Sequence, residues 1–366
     1  MFGKVVVKGD EREVDIVEID ERPDVEKGAV LTEVVQTNVC GSELHFWREE
    51  FPVPSGAVFG HEAVLEITEL GDDVTSDSAG NRLSEGDLVV PVYFQQCGEC
   101  RACSNGQFYA CDLIRSTGEW MQPHHIAPHF RGTFATHYYI HPDQYFYKVP
   151  EGVPNEVAAS ANCALSQILF SVDHAGGITA GEEVIIQGAG GLGLHAIAVA
   201  KENGATVTVL EGAENRLEQA ENFGADNVID ITDFESPGER IRRAQEVTGG
   251  GADLAIEVAG FPEVFDEGTR MIRSGGRYLE IGNISPNLSG EFTPANLTLN
   301  RITTYSVLFY QPWYLKRALE FLDAHIDDYP YESLLDAEFC LADAQQALEK
   351  SDQQAVTRAT LVPERD

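Results

Sequence analysis

Residues 184–193 read Val184-Ile-Ile-Gln-Gly188-Ala-Gly190-Gly191-Leu192-Gly193, and this stretch decides the fold. A short β-branched run ends in a G-x-G-x-x-G turn, and the residues beyond it read as a helix near 191–203. Taken alone such a turn is weak evidence, because glycine-rich loops are common. Its setting strengthens it: a second strand, Thr206–Leu210, ends at Glu211, 18 residues beyond Gly193. Glycines let the backbone approach a pyrophosphate, and a helix N-terminus favours its negative charge. Glu211 is placed to accept hydrogen bonds from adenosine ribose hydroxyls and to repel a 2′-phosphate. Gly212 and Ala213 offer no cation for that phosphate, so NAD is expected over NADP. The plainer reading is a structural turn beside a surface glutamate.

Outward from this turn the strand-then-helix alternation continues. A helix is expected near 214–223, and Leu254-Ala-Ile256 and Tyr278-Leu-Glu-Ile281 read as further strands. Repeated βα units imply a parallel sheet with right-handed crossovers. Before about residue 150 the texture differs. Short Val-rich runs such as Val5–Val7, Val34-Val35 and Leu88–Val90 are broken by Gly, Pro and Asp, as in a β-rich body. Beyond about 300, helices near 313–325 and 341–350 precede a last strand, Ala359–Val362. No internal repeat or low-complexity segment is visible.

The chain has 366 residues, 43% of them apolar, enough for two ordinary cores. No run approaches the length of a membrane span, and the start lacks the long apolar region of a signal peptide. A cytoplasmic protein with reduced thiols is expected. Sixty acidic residues face 25 basic ones, of which seven are lysine, for a net charge of −35. That charge excludes nucleic acid and anionic membranes as partners. The acids are scattered rather than gathered in a tail, as on proteins of salt-accumulating organisms, where salt screens the self-repulsion.

Six of the seven cysteines fall into two groups. Cys97, Cys100, Cys103 and Cys111 lie within fifteen residues with C-x2-C-x2-C-x7-C spacing. Four thiolates saturate a tetrahedral zinc and leave no position for chemistry. An iron–sulfur cluster is the competing reading. Cys40 and Cys163 stand apart, with His61 between them in sequence; two sulfurs and an imidazole leave one zinc position open. Singly each is unremarkable, and the seventh cysteine, Cys340, reads as a small core residue. The stretch from Arg115 to Arg131 carries Trp120, His124, His125 and His129, read as a solvated loop that shapes substrate choice rather than as a further metal site.

Together these elements resemble a zinc-dependent alcohol dehydrogenase of the medium-chain dehydrogenase/reductase superfamily, nearly end to end. The shared features are Cys40-Gly-Ser42-Glu43-Leu-His45, Gly60-His61-Glu62, the cysteine quartet, Gly132-Thr-Phe-Ala135, the glycine turn and the C-terminal helix and strand. The resemblance implies an α/β protein: a GroES-like catalytic domain over 1–155, completed by 301–366, and a doubly wound Rossmann domain over 156–300. It implies two zincs per chain, a catalytic one on Cys40, His61 and Cys163 and a structural one on the quartet. Glu62 and Glu43 become carboxylates that orient the ligands. Ser42 stands beside the substrate oxygen and His45 ends a proton relay through the nicotinamide ribose. The glycines, Leu192, Glu211 and Arg216 bind the cofactor. Arg358 is associated with the cofactor phosphates and with Glu62, and Trp47 and Tyr93 line the substrate pocket.

The implied reaction is reversible hydride transfer from a zinc-bound primary or secondary alkoxide to NAD, giving an aldehyde or ketone. Zinc can lower the pKa of a bound oxygen by many units, and histidine titrates in the range needed to receive the proton. Departures from the family pattern are Leu65, where glycine is usual, and Gln167, where threonine is common near the nicotinamide. Polyol members often use Glu as third ligand, so Cys163 favours a simple alcohol. A polyol or sugar dehydrogenase, or another reductase of the superfamily, is the first alternative. A non-catalytic zinc- and nucleotide-binding redox sensor is the second, although it would be expected to lose Cys40, Ser42 or His61. The resemblance also implies a homodimer or homotetramer, with Thr303–Leu308 as the candidate edge strand.

Overall fold

The glycine turn follows the strand Glu183–Gln187, one of six parallel strands in a single sheet. Their order is Asn227–Asp230, Thr206–Glu211, Glu183–Gln187, Ala252–Glu257, Ile272–Glu280, Thr303–Ser306. In chain order this is 3-2-1-4-5-6, the doubly wound arrangement. Strand order reverses beside Glu183–Gln187, and ligands of such sheets bind at the carboxyl ends of the strands there. Strands covered on both faces become continuous apolar runs, and Val184, Ile185 and Ile186 are fully buried. The crossover helices Gly191–Glu202 and Glu214–Asn222 lie where the sequence places them.

The computed structural model describes residues 1–115 and 121–364. Two compact units account for the chain. The parallel sheet belongs to Gln167–Leu308 with Asp327–Ser333; the other unit is Met1–Ser166, Phe309–Ile326 and Leu334–Asp366. The breaks therefore lie beyond the expected 155/156 and 300/301 boundaries. Thr303–Ser306 completes the parallel sheet by pairing with Ile272–Glu280, and the turn carrying Cys163 stays with the β-rich unit. Among the described residues no helix is long and apolar enough to cross a membrane.

The β-rich unit holds a hairpin, Gly3–Lys8 with Val14–Ile19, and a seven-stranded sheet. That sheet runs Ala337–Cys340, Ala359–Val362, Val30–Asn38, Glu62–Leu70, Leu88–Pro91, Phe146–Lys148, with His137–Ile140 also on Val30–Asn38. Leu65, the departure from glycine, is a fully buried core residue packed among Val34, Ala63, Val89 and Ile140. A second core gathers Phe46, Trp47, Phe59, Phe134, Leu348 and Leu361. Cys340 is only half-buried, its Sγ 2.9 Å from Asp343 Oδ2, so the core role expected of it does not hold.

Candidate active site

Strand register assembles the site of the β-rich unit. Asn38 pairs with Glu62 and with Thr360, so the strand ending before Cys40, the strand opening after His61 and the strand following Arg358 converge. Cys40 leads into the helix Gly41–Trp47, where Glu43 turns back to accept the Cys40 backbone N–H at 2.9 Å. The other oxygen of Glu43 bonds His61 Nδ1, which aims Nε2 at the cysteines. Cys163 rides on a π-helical turn, Ala161–Leu165, of the wide kind frequent at functional sites.

The spacing of these ligand atoms fits a metal ion. Two ~2.3 Å metal–sulfur bonds at a tetrahedral angle leave sulfurs roughly 3.8 Å apart. Here Cys40 Sγ and Cys163 Sγ are 3.9 Å apart, and His61 Nε2 is 3.3 Å from Cys163 Sγ. Ser42 Oγ lies 3.4 Å from His61 Nε2, next to this cluster, as expected of a group beside the substrate oxygen. Glu62 was expected only to orient the ligands, yet one of its oxygens lies within 4.8 Å of all three donor atoms. Its Oε2 pairs with Arg358, while its fully buried Oε1 has no hydrogen-bond partner among the described residues. An orphaned carboxylate oxygen beside three soft ligands suits a cation there.

Burial raises the carboxyl of Glu62 to about 8 despite the guanidinium of Arg358 beside it. Hydrogen bonding from Cys163 holds the Cys40 thiol well below its usual range, and the same contact pushes Cys163 up. One thiolate ligand is thus favoured before any metal binds.

The quartet is built differently. Its four Sγ atoms lie within 4.8 Å of one another, with Cys100 Sγ 3.9 Å and Cys97 Sγ 3.5 Å from Cys111 Sγ. A metal held there has only sulfur neighbours, so this site suits holding a loop. The histidines of the 115–131 stretch do not join a ligand cluster among the described residues. His129 Nδ1 faces the His124 carbonyl at 2.8 Å and His124 Nδ1 the Gly56 carbonyl at 3.2 Å. Trp120 lies outside the described residues.

Other expected site residues are distributed unevenly. The Tyr93 ring packs tilted against His61, 4.7 Å between centroids, and against Phe309, and burial keeps its phenol protonated. Trp47, expected in the pocket, packs instead in the second core with Arg12 over its ring, because the Gly41–Trp47 helix turns it inward. His45 Nδ1 is held by Glu50 Oε2 at 2.6 Å, a partner the sequence did not indicate. Arg358, expected beside both the cofactor phosphates and Glu62, is buried and paired with Glu62 as expected. Two further residues at the centre, Asn162 and Tyr310, carry no motif that singles them out.

In the other unit the glycine turn has the shape the sequence demands. Gly188 adopts φ +101°, and a Cβ on Gly193 would fall 2.1 Å from the Gly188 carbonyl. Gly190 has open space, its nearest neighbour being Arg216 Nη1, 4.0 Å from where a Cβ would stand. Gly191 and Leu192 open the helix, and the buried Nε of Arg216 has no partner among the described residues. Glu211 ends its strand with its carboxylate fixed by three backbone N–H groups, those of Ala189, Gly212 and Ala213, at 2.8, 2.7 and 3.0 Å. Two more acids, Glu257 and Glu280, end neighbouring strands side by side. Burial first, then Glu280, pushes the Glu257 carboxyl up to about 9. Gln167 donates to the Val307 carbonyl at 3.2 Å.

Comparison with known proteins agrees with this geometry. The family model described as alcohol dehydrogenase GroES-like domain matches residues 26–151, and that of zinc-binding dehydrogenase matches 191–324. A 5-exo-hydroxycamphor dehydrogenase of Pseudomonas putida is 30% identical over 325 residues, 88% of each chain. An L-threonine 3-dehydrogenase of Pyrococcus furiosus is 31% identical over 324 residues, 86% of each chain. The crystal structure of an alcohol dehydrogenase from Thermotoga maritima aligns over 99% of both chains with a TM-score of 0.90 at 28% identity. With a GroES-like domain, a Rossmann domain and two metal-fitting cysteine clusters, the chain belongs to the zinc-type medium-chain dehydrogenase family of oxidoreductases.

Proposed function

We propose that this protein oxidises an alcohol to an aldehyde or ketone with NAD, reversibly, at the centre formed by Cys40, His61 and Cys163. The observation that carries the reading is the convergence of these three donors with the Ser42 hydroxyl beside them. Zinc held by Cys40, His61 and Cys163 would supply a Lewis acid, and NAD held at the Gly188–Gly193 turn would supply the hydride acceptor. The chain's own part is positional. Glu43 fixes the His61 tautomer, Ser42 passes the substrate proton, and His45, held by Glu50, receives it. Tyr93 offers the substrate an apolar, uncharged wall.

Glu211 favours NAD, since its fixed carboxylate suits ribose hydroxyls and repels a 2′-phosphate. The quartet holds a second, structural zinc. The third ligand Cys163 favours a simple alcohol; a polyol remains the second reading, supported by the family relative named for sorbitol, 29% identical over 272 residues. The strand Thr303–Ser306 is an exposed sheet edge flanked by exposed Leu299 and Leu308, and pairing of two copies there accounts for a homo-oligomer. The charge of −35 fits a cytoplasm rich in salt.

The test is NADH formation with primary and secondary alcohols and polyols in concentrated KCl, with and without a strong chelator. Turnover that the chelator abolishes, fastest with a simple alcohol, is expected. Turnover indifferent to zinc removal from Cys40, His61 and Cys163 overturns the proposal.

A further inference from the structure

Three successive carbonyls around His61 are each pinned. The backbone N–H of Thr133 reaches Gly60 O at 3.0 Å, Asn162 Nδ2 reaches His61 O at 2.7 Å, and Thr37 Oγ1 reaches Glu62 O at 2.7 Å. Of these three, only Asn162 adjoins a thiol ligand in sequence. Its second amide hydrogen goes to the Pro91 carbonyl at 3.0 Å, at the end of the Leu88–Pro91 strand. The Asn162 carbonyl in turn accepts the hydroxyl of Tyr310, which fastens the same turn from the opposite side.

The turn needs such fastening. A π-helical turn spends fewer hydrogen bonds on itself than an α-helix. Here Leu165 N reaches back to Ser160 O at a long 3.4 Å, and Ser166 Oγ caps Ala161 O at 2.5 Å. Asn162 is fully buried, yet its Oδ1 finds no partner among the described residues. The unmatched Oδ1 is a cost, and an apolar residue here would instead leave the buried His61 and Pro91 carbonyls without their donor. The amide is explained by its two donors, which join the Cys163 turn to the backbone of His61 and to the end of a strand.

We propose that Asn162 is a positioning residue for the three-ligand metal centre, setting the Cys163–His61 spacing by clamping the wide turn to the His61 backbone. The inference rests on the metal reading of Cys40, His61 and Cys163. Outer partners of this kind contribute roughly 10–100-fold to metal affinity.

The test compares the zinc-loaded protein with Asn162→Asp, which keeps the shape and removes both amide donors. Zinc is counted per chain as it passes to a chromogenic chelator, the quartet's zinc serving as internal reference. The cobalt-substituted protein gives a second readout in its thiolate charge-transfer band. Asn162→Asp should release the zinc of the three-ligand centre about 10–100-fold more readily, shift the cobalt band and leave the quartet phase unchanged. Tyr310→Phe, which deletes one oxygen, should move the same phase in the same direction by less. Gln144→Leu removes a comparable buried amide clamp, on Val92 O and Tyr138 Oη, and should cost stability without touching either phase.

Parental zinc release and an unchanged cobalt band in Asn162→Asp overturn the proposal, whatever happens to melting. If Asn162→Asp does not fold, parental behaviour of Tyr310→Phe overturns it. A parent that holds only the quartet's zinc overturns the metal reading itself, which separates the two failures.

Discussion

The two units of this chain prepare for charged ligands by opposite means. In the parallel-sheet unit the glycine turn and the Gly191–Glu202 helix offer backbone N–H groups, and Glu211 is itself held by three of them. In the β-rich unit the candidate donors are side chains, two thiols, an imidazole and carboxylates, gathered from segments far apart in sequence. A site made of backbone is specified locally, because glycine alone permits the turn. A site made of side chains depends on register, so one slipped residue in Val30–Asn38 would disperse it. Damage to either unit should therefore show in a different observable.

The sharpest separation comes from Cys40→Ala. Losing a ligand of the open centre should remove the Lewis acid, worth several kcal/mol, and so lower turnover by about a thousandfold or more. NAD affinity, which we assign to the other unit, should stay within about twofold. Its counterpart Cys111→Ala opens the quartet and should lower the melting temperature by roughly five degrees or more while reducing turnover far less. Turnover assays and calorimetry on both variants check this, and a Cys111→Ala protein that melts normally but is inactive breaks the distinction between the two clusters.

A smaller effect is expected from Glu211→Ala. Hydrogen bonds to a charged acceptor contribute about 1.5–3 kcal/mol, so the NAD dissociation constant should rise roughly 10–100-fold. NADP should bind no worse, since the carboxylate that repels its phosphate is gone. Zinc content should not change. Parallel titrations with both cofactors decide it, and equal weakening of the two would show that Glu211 shapes the turn rather than reading the ribose.

How far each region could be read beforehand follows the same division. The centre of the parallel sheet was legible because Val184–Ile186 is an uninterrupted apolar run that leads straight into the glycine turn, whereas the half-polar strand Asn227–Asp230 was not. The quartet was legible from spacing alone. Cys40, His61 and Cys163 gained meaning only together, through their resemblance to a family, since nothing in one strand states its register against another. Trp47 misled because its place two residues after His45 suggested the pocket, whereas helix periodicity carries it into the core. Glu62 was visible as a carboxylate but its reach toward the ligands was not. Asn162 and Tyr310 were invisible, being 148 positions apart and joined only by the fold.

The smallest effect concerns the acid pair of the parallel-sheet unit, where side chains rather than backbone carry the charge. Glu257 accepts the N–H groups of Gly260 and Gly282 and shares a side-chain hydrogen bond with Glu280, whose Oε1 accepts from Asn283. With its carboxyl raised to about 9, folded Glu257 keeps a proton that the unfolded chain loses near the ordinary carboxylate range. The unfolded state then binds fewer protons, so stability falls as pH rises from that range toward 9. Glu280→Gln leaves the Asn283 contact intact, places an amide beside Glu257, and removes the neighbouring charge. It should stabilise the protein by about 1 kcal/mol at pH 9 and by little at pH 5. Melting curves of both proteins at the two pH values, at one high salt concentration, measure the difference. An equal shift at both would mean that burial alone raises Glu257 and that the parallel-sheet unit tolerates paired carboxylates as readily as the metal centre does.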